Sequence, residues 1–211
     1  MNLIGIFGTS GFAREVGDIA LELGHQPLYI ARDQAELDAW NFPGNVILES
    51  EVDGYREIGF AIGIGENVTR QKVARRFAGQ LKFANLIHPS ATFGQGQRQI
   101  VEARQGVVVC AGVRFTNNIQ VGDFGIFNLN ATIGHDVIVD EFVNLAPGAH
   151  ISGNVHIGPR CWIGTGAAIN QGQGDTKLHI GADTVIGSGS VVVKACEPNS
   201  VYVGIPAKKI K

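Results

Sequence analysis

The feature that most constrains this chain is a six-residue period of apolar side chains in its second half. Neither the 3.6-residue period of a helix nor the two-residue alternation of a plain strand produces this spacing. Hexapeptide repeats are typical of a parallel β-helix, so we expect a triangular prism in which each hexapeptide forms one face. The repeat runs without a break through Val109, Phe115, Val121, Phe127, Ile133, Val139, Leu145, Ile151, Ile157, Ile163 and Ile169.

The same period predicts where the prism is regular. One circuit takes three hexapeptides, so residues about 18 apart should stack at one strand spacing, ~4.8 Å. After Ile169 the next repeat residue is Ile180, eleven positions on instead of six, so five residues should loop out of one corner. We expect the prism to begin near Val107, after a loop or irregular first coil over residues 94–106, and residues 201–211 to leave it as a tail.

Small residues directly follow many of the apolar repeat residues. Glycine and short side chains tolerate a bent or left-handed backbone, so we expect the corners of the prism at these places. Examples are Gly122, Gly134, Gly158 and Gly164.

Residues 1–84 predict a different fold, because short apolar runs alternate there with segments of helical spacing. Strands that alternate with helices form a small parallel sheet. The predicted architecture is therefore a Rossmann-like α/β domain (residues 1–84) followed by a parallel β-helix (residues 85–211). We expect strands at Leu3–Phe7, Pro27–Ile30, Gly59–Ile62 and Leu81–Leu86, and helices at Phe12–Leu23, Gln34–Trp40 and Val68–Ala78.

Composition argues against several classes of protein. The formal net charge is −2 without a basic run, which argues against a nucleic-acid-binding surface. No stretch approaches the ~20 apolar residues of a membrane span. Residues 1–5 lack the basic region and cleavage site of a signal peptide. Three cysteines without CxxC spacing predict a reduced, cytoplasmic protein: Cys110, Cys161 and Cys196.

A glycine-containing loop between the first strand and the first helix predicts an anion site. Backbone N–H groups and the positive end of the helix dipole meet there and favour a phosphate. Asp33, after the second strand, lies where an acid meets a ribose or a base. The other residues that we expect at this edge of the sheet are Gly8, Ser10, Gly11, Gly63 and Gly65.

The loop departs from the GxGxxG dinucleotide motif, because Ser10 stands in place of the second glycine and Ala13 in place of the third. The domain is also only about half the size of a dinucleotide-binding fold. A mononucleotide or a nucleotide sugar is therefore favoured over NAD. A tight turn that binds no ligand stays open as the alternative.

One histidine is placed for acid–base chemistry. His135 follows the inward Ile133 by two positions, so its side chain should face outward near a corner. Gly153 should stack on it one coil later, and Asp136 follows it directly. An imidazole oriented by a carboxylate can take a proton from an amine or hydroxyl, and a nearby backbone N–H can hold a developing oxyanion. The alternative is a solvated surface histidine.

Neither a metal site nor a covalent nucleophile is predicted. The other histidines of the prism, His150, His156 and His179, do not form a ligand set, because neighbouring faces diverge. The chain has no GxSxG elbow, and no cysteine has a histidine nearby in the repeat frame.

Five motifs, in order along nearly the whole chain, carry a family resemblance: Gly8–Gly11, Ala61–Asn67 with Arg70, Asn85–Pro89, Ile133–Asp136 and Val203–Lys208. With these motifs the chain resembles the bacterial sugar acetyltransferases of the left-handed β-helix class, the PglD/NeuD-like group. The resemblance implies left-handed coiling and a homotrimer. It also implies that acetyl-CoA binds along the groove between neighbouring prisms.

The resemblance also implies roles for individual residues. His135 resembles the general base and Asp136 its acidic partner. Asn128 matches an asparagine that places the sugar, and Asn144 stands where some relatives have a second histidine near the sugar. The positions implied for coenzyme binding are Gly153, Thr165 and Ser188, and those implied for the nucleotide side are Gly8, Ser10, Gly11, Asp33, Gly63, Gly65 and Arg70.

Three functions are compatible with these residues. The first is transfer of an acetyl group from acetyl-CoA to the amino group of a nucleotide-linked 4-amino-4,6-dideoxysugar, in glycan biosynthesis. The second is O-acetylation of sialic acid or a related sugar. The third is a non-catalytic β-helix scaffold that binds a partner or coenzyme. The insertion after Ile169, which the resemblance does not include, should cover the coenzyme or contact the adjacent subunit.

Overall fold

A computed structural model describes residues 2–211, in which a parallel α/β sheet precedes a β-helix. The strands of the sheet are β1 (Asn2–Phe7), β2 (His25–Ala31), β3 (Asn45–Leu48), β4 (Gly59–Ile62) and β5 (Lys82–Phe83). Its helices are α1 (Gly11–Glu22), α2 (Gln34–Asp38), a 3₁₀ helix (Glu49–Tyr55) and α3 (Asn67–Arg76). The strand order β3-β2-β1-β4-β5 is that of a doubly wound nucleotide-binding sheet without its sixth strand, and it reverses between β1 and β4.

The β-helix is a three-sided prism of short strands. Face 1 contains β6 (Leu86–Ile87), β8 (Val108–Val109), β11 (Ile126–Phe127), β14 (Asn144–Leu145), β17 (Trp162–Ile163), β20 (Val185–Ile186), β22 (Val201–Gly204) and the antiparallel β23 (Ala207–Lys209). Face 2 contains β7 (Thr92–Phe93), β9 (Arg114–Phe115), β12 (Thr132–Ile133), β15 (His150–Ile151), β18 (Ala168–Ile169) and β21 (Val191–Val192). Face 3 contains β10 (Gln120–Val121), β13 (Ile138–Val139), β16 (Val155–Ile157) and β19 (Leu178–Ile180).

Three corners connect these faces. Corner A joins face 1 to face 2, corner B joins face 2 to face 3, and corner C joins face 3 to face 1 of the next coil.

The coils are in register at the predicted spacing, since Ile126 pairs with Asn144 and Phe127 with Leu145. All eleven apolar repeat residues lie in one buried cluster that fills the prism. Burial of such side chains contributes about 1.5–3 kcal/mol each, so the repeat both forms and stabilises the prism. The predicted fold class is confirmed.

The small residues after the repeat positions have a different cause from the one predicted. Left-handed backbone occurs three positions after the apolar residue, at Asn118, Asp136 and Phe142 among others, with φ of 55°, 61° and 58°. At Gly134, by contrast, a Cβ would lie 2.7 Å from the backbone nitrogen of Gly153. These positions exclude a side chain because the backbone of the next coil passes over them.

Several predicted boundaries are wrong. The expected strand Leu81–Leu86 is divided, because β5 closes the α/β sheet and β6 already pairs with β8 in the prism. The expected loop at residues 94–106 contains helix α4 (Gln97–Glu102). The expected tail extends face 1, where β22 pairs with β20 in parallel. The 3₁₀ helix and strand β3 were not predicted. Strand β3 is a partly buried edge strand, and an edge strand lacks the apolar run of a central one.

The two parts of the chain share a packed junction. Helix α1 lies against face 1, where Val16 and Ile19 join the same buried cluster as Leu86, Val108 and Ile126. On the other side of the sheet, aromatic residues of corner C enter the α/β core, and the rings of Phe83 and Phe124 meet edge to face at 5.1 Å. The α/β sheet is therefore held against the prism from both of its faces.

Candidate active site

Corner B carries the predicted acid–base pair. His135 and Asp136 lie in the turn between β12 and β13, and Nδ1 of His135 is 2.7 Å from Oδ2 of Asp136. Hydrogen bonds from His135 and from Asn118 hold the pKa of the Asp136 carboxyl below its usual range. An ionised carboxylate only accepts hydrogen bonds, so the Nδ1–H of the imidazole must be the donor. The Nε2 lone pair is then available to accept a proton.

Gly153 provides the space in which the imidazole lies. A Cβ on this residue would be 2.5 Å from both Cε1 and Nε2 of His135, so a larger residue would displace the ring. The His135 side chain remains 61% exposed, and the imidazole lines a cleft that is open to solvent. The stacking of residues 135 and 153, which the repeat predicts, therefore brings the imidazole against bare backbone.

The pair faces an open cleft of about 540 Å³ on corner B. One wall consists of the corner residues, and the other consists of the segment inserted after β18. The lining residues are His135, Asp136, Gly153, Asn154, Gln171, Gly172, Gly174, Asp175 and Lys177.

Three polar residues beside the pair were not predicted. Asn118 Nδ2 donates to Oδ1 of Asp136, while Lys177 Nζ donates to the main-chain carbonyl oxygen of Asp136 and to Oδ1 of Asn154. Asn118 and Asn154 stand 18 positions before and after Asp136, so the stacking rule could have found them. Lys177 could not be found that way, because the insertion changes the register.

Corner A carries other residues implied by the resemblance. Thr165 and Ser188 are exposed and stacked there, after the paired strands β17 and β20. Asn128, at the end of β11, is nearly buried, and its Oδ1 accepts a hydrogen bond from the N–H of Leu129 at 2.7 Å. Within one chain these residues lie on a different corner from His135, so a single chain does not bring the two groups together.

The predicted glycine loop lies at the carboxyl ends of β1 and β4, where the strand order reverses. Gly8 has φ of +113°, a value that favours glycine. A Cβ on Gly63 would lie 2.6 Å from Cα of Ala13, so Gly63 lets α1 approach the sheet. Ser10 precedes α1 without capping it through its side chain, and Gly11 is the exposed first residue of that helix. Backbone N–H groups at such a helix start favour an anion.

Asp33 lies at the expected place after β2, but its carboxylate already has partners. Its Oδ1 accepts from the N–H of Glu36 at 3.0 Å, which caps α2, and its Oδ2 accepts from Nε of Arg32 at 3.0 Å. The backbone hydrogen bond from Glu36, followed by that from Arg32, lowers the pKa of Asp33. The side chain is about half exposed, so it remains accessible from solvent.

Three residues implied for substrate binding belong instead to the junction between the α/β domain and the prism. Arg70 is fully buried, and its guanidinium donates to main-chain carbonyls that include Phe124 at 2.9 Å and Phe142 at 2.7 Å. It also donates to the carbonyl of Gly65 at 2.8 Å, which accepts a second bond from Nδ2 of Asn144 at 3.0 Å. Asn144 is 2% exposed. In this structure Arg70 and Asn144 are engaged by the junction and Gly65 faces it, which argues against the predicted contacts with substrate.

The remaining reactive side chains have other partners. Within residues 2–211, no group of three His, Cys, Asp or Glu side chains could hold a metal ion. His150 pairs with Thr132 at 2.8 Å, and His156 pairs with Asp140 at 2.9 Å.

Burial raises the pKa of the thiols of Cys110 and Cys161 to about 12, so they stay protonated at neutral pH. No helix in this part of the chain has the length and apolarity needed to cross a bilayer.

A hexapeptide prism with an exposed His–Asp pair, joined to a nucleotide-type sheet, matches the class that the sequence resembles, the β-helix acyltransferases. Comparisons with known proteins identify the acyltransferases to which this chain is similar. Residues 3–77 match the family described as the PglD N-terminal domain. The GDP-perosamine N-acetyltransferase of Escherichia coli O157:H7 is 28% identical over 100% of this chain and 97% of its own length.

Two solved structures are similar to this chain over its full length. The acetyltransferase domain of PglB from Neisseria gonorrhoeae FA1090 is 28% identical with a TM-score of 0.85, covering 100% of both chains. PerB from Caulobacter crescentus, solved in complex with CoA and GDP-perosamine, is 27% identical with a TM-score of 0.85, covering 100% of this chain and 98% of its own. The resemblance is thereby confirmed: the chain is similar over its full length to PglD-like sugar acetyltransferases.

Proposed function

We propose that this protein transfers the acetyl group of acetyl-CoA to the amino group of a nucleotide-linked 4-amino-4,6-dideoxysugar. The observation that carries the proposal is the imidazole of His135, held by Asp136 at 2.7 Å and lying against Gly153. N-acetylation is favoured over O-acetylation by the full-length relative, a GDP-perosamine N-acetyltransferase. Acetyl coenzyme A as donor is supported by the PglB domain, which was also solved in complex with it.

His135 acts as general base in this proposal. The sugar amine attacks the thioester carbonyl, and Nε2 takes the amine proton as the C–N bond forms. The C–S bond then breaks, and the imidazolium returns the proton to the leaving sulfur. The ionised Asp136 stabilises the imidazolium, and the backbone N–H of Gly153 is proposed to hold the carbonyl oxygen as its negative charge develops.

The nucleotide is proposed to bind at the carboxyl ends of β1, β2 and β4. The start of α1, with Gly8, Ser10 and Gly11, suits the phosphates, while Gly63 forms the facing wall and Asp33 reaches toward the ribose or base. Arg70, Gly65 and Asn144 take no part in this site, since they form the junction.

A homotrimer is proposed to complete the active site. The residues implied for the sugar and the pantetheine arm (Asn128, Thr165 and Ser188) lie on corner A, whereas His135 and Gly153 lie on corner B. A cyclic assembly can place corner A of one chain beside corner B of its neighbour, with acetyl-CoA in the groove between them. We place the reaction in the cytoplasm, as the three buried free cysteines suggest.

The proposal is tested by following release of the CoA thiol from acetyl-CoA with GDP-perosamine and with UDP- and dTDP-linked 4-amino sugars. The wild-type protein should acetylate at least one of these amines. Indifference to every sugar nucleotide, together with acetylation of a hydroxyl of free sialic acid, would contradict N-acetylation.

Replacement of the proposed base provides the first prediction. His135→Ala should lower kcat by roughly 10²–10⁴-fold, the usual contribution of a general base. The matched control is His156→Ala, which removes the other His–Asp pair of the prism and should retain the wild-type kcat. An unchanged kcat in His135→Ala would remove His135 from the mechanism.

A further inference from the structure

The insertion after β18 breaks the 18-residue register of the prism. Val139 pairs with Ile157 at the regular spacing, but Ile157 pairs with Ile180, which is 23 residues further along the chain. The five extra residues project from corner B within residues 170–177. This segment, which we call the insertion loop, forms the outer wall of the cleft that contains His135.

The insertion loop is fastened to the turn on which the imidazole lies. The N–H of Gly172 donates to the carbonyl oxygen of Gly153 at 3.1 Å. The side-chain amide of Asn154 donates to two carbonyl oxygens of the loop at 2.9 and 3.2 Å. A Cβ on Gly172 would collide with the carbonyl of Asn154, so the contact requires glycine. The loop and the ring of His135 therefore share one support.

Lys177, at the end of the loop, connects this support to the acid–base pair. Its ammonium donates to the main-chain carbonyl oxygen of Asp136 at 2.5 Å and to Oδ1 of Asn154 at 3.1 Å. These two residues are stacked 18 positions apart on corner B, and both have left-handed backbone. One side chain thus fixes the spacing between the coil that carries Asp136 and the coil that carries Gly153.

The acid–base pair needs such support because it is open to solvent. The side chains of His135 and Asp136 are 61% and 44% exposed. An exposed hydrogen-bonded pair of this kind gains little in water, since its attraction is weak and its side chains must lose rotational freedom. Asn118 holds the carboxylate from the preceding coil, and Lys177 holds the main chain from the insertion loop, two coils further on.

We propose that Lys177 is a positioning residue for the His135–Asp136 pair, a role that rests on the proposed function of that pair. The bond from Lys177 holds the turn at Asp136 against the Gly153–Asn154 turn. The carboxylate then meets Nδ1 while the ring stays against bare backbone. The insertion loop serves as the carrier of this lysine.

Steady-state kinetics test the proposal. Lys177→Met, which keeps most of the length of the side chain but removes its donor, should lower kcat roughly 10- to 100-fold, as expected for a small misplacement of a reacting group. KM for acetyl-CoA and for the sugar nucleotide should change less than about threefold. Lys177→Arg should recover much of kcat. Lys72→Met, on the exposed face of α3, is the matched control and should keep the wild-type kcat.

A second variant separates positioning from the loss of a charge. Asn154→Gly preserves the left-handed turn and the net charge but removes the side chain that receives Lys177. It should lower kcat in the same way as Lys177→Met. Loss of kcat in Lys177→Met but not in Asn154→Gly would overturn the proposal. A rise in KM at constant kcat would also overturn it, because it would assign Lys177 to ligand binding.

An NMR titration of the His135 imidazole gives a readout that does not depend on activity. The other charged residues that line the cleft with this ring are Asp136, Asp175 and Lys177. The midpoint should shift in Lys177→Met and in Asn154→Gly, and should return toward the wild-type value in Lys177→Arg. Identical titrations in all variants would refute positioning by Lys177. Absence of acetyl transfer in the wild type would instead refute the proposed function. The NMR titration would still decide whether Lys177 positions the pair.

Discussion

At the scale of single residues, the site depends on the absence of a side chain at Gly153. The imidazole of His135 occupies the volume that a Cβ would need. Its orientation is set by Asp136, whose left-handed backbone, with φ of 61°, turns the carboxylate back toward Nδ1. Asp tolerates this conformation better than most residues do. Two adjacent residues and one glycine thus determine where the proposed base lies.

A single methyl group should therefore disturb the base. Gly153→Ala should displace the ring and lower kcat by about 10²-fold, because the imidazole can no longer lie against the backbone. The comparison is Gly54→Ala, in the 3₁₀ helix, where an added Cβ meets no atom within 4 Å and kcat should not change. Steady-state rates with acetyl-CoA and the preferred sugar nucleotide measure both. Full activity in Gly153→Ala would show that the contact is not needed.

At the scale of elements, α3 joins the α/β sheet to the prism through one buried cation. Burial lowers the pKa of Arg70 to about 9, so it remains charged at neutral pH. A buried charge without partners would be costly, and the carbonyl oxygens of corner C supply them. Asn67, one turn earlier on α3, adds hydrogen bonds to the carbonyls of Arg160 and Cys161. The helix is thus anchored where face 1 meets corner C.

Loss of this cation should weaken the junction. Arg70→Met has a similar side-chain volume but leaves several buried carbonyl groups without a donor, and should destabilise the protein by about 3 kcal/mol or more. Urea unfolding followed by tryptophan fluorescence measures the change, since Trp162 lies near the junction. Arg75→Met, on the exposed side of the same helix, should change stability by less than about 0.5 kcal/mol. Equal stability of the two variants would contradict the assigned role.

At the scale of the whole molecule, the prism separates the proposed ligand-binding residues onto two corners. Corner B holds His135 and corner A holds Asn128, so one chain presents two incomplete parts of a site. Cyclic symmetry brings different parts of the same surface together at each interface. The proposed trimer would therefore have three shared sites, each with one corner from either neighbour.

Complementation between inactive subunits tests this arrangement. Co-expression of His135→Ala with Asn128→Ala should restore activity, because one of the three shared sites in each mixed trimer would combine two intact corners. Co-expression of His135→Ala with Asp136→Ala should not, since both changes lie on corner B. Rates of the purified mixed assemblies, separated by two affinity tags, measure the effect. Equal rates in the two mixtures would place the whole site within one chain.

The repeat alone determined the prism, its inward-facing residues and the stacking of His135 on Gly153. These features follow from a period that each hexapeptide satisfies locally, so they are visible without the rest of the fold. The alternation of strands and helices likewise determined the α/β sheet and its glycine loop.

Only the tertiary structure decided what the polar residues of the junction and the insertion contact. Arg70 and Asn144 have residue types that suit a ligand, yet the packing of α3 on face 1 buries both. Lys177 reaches Asp136 because an insertion folds back on corner B. Burial and hydrogen-bond partners depend on segments far apart in the chain, and no local period records which of them will meet.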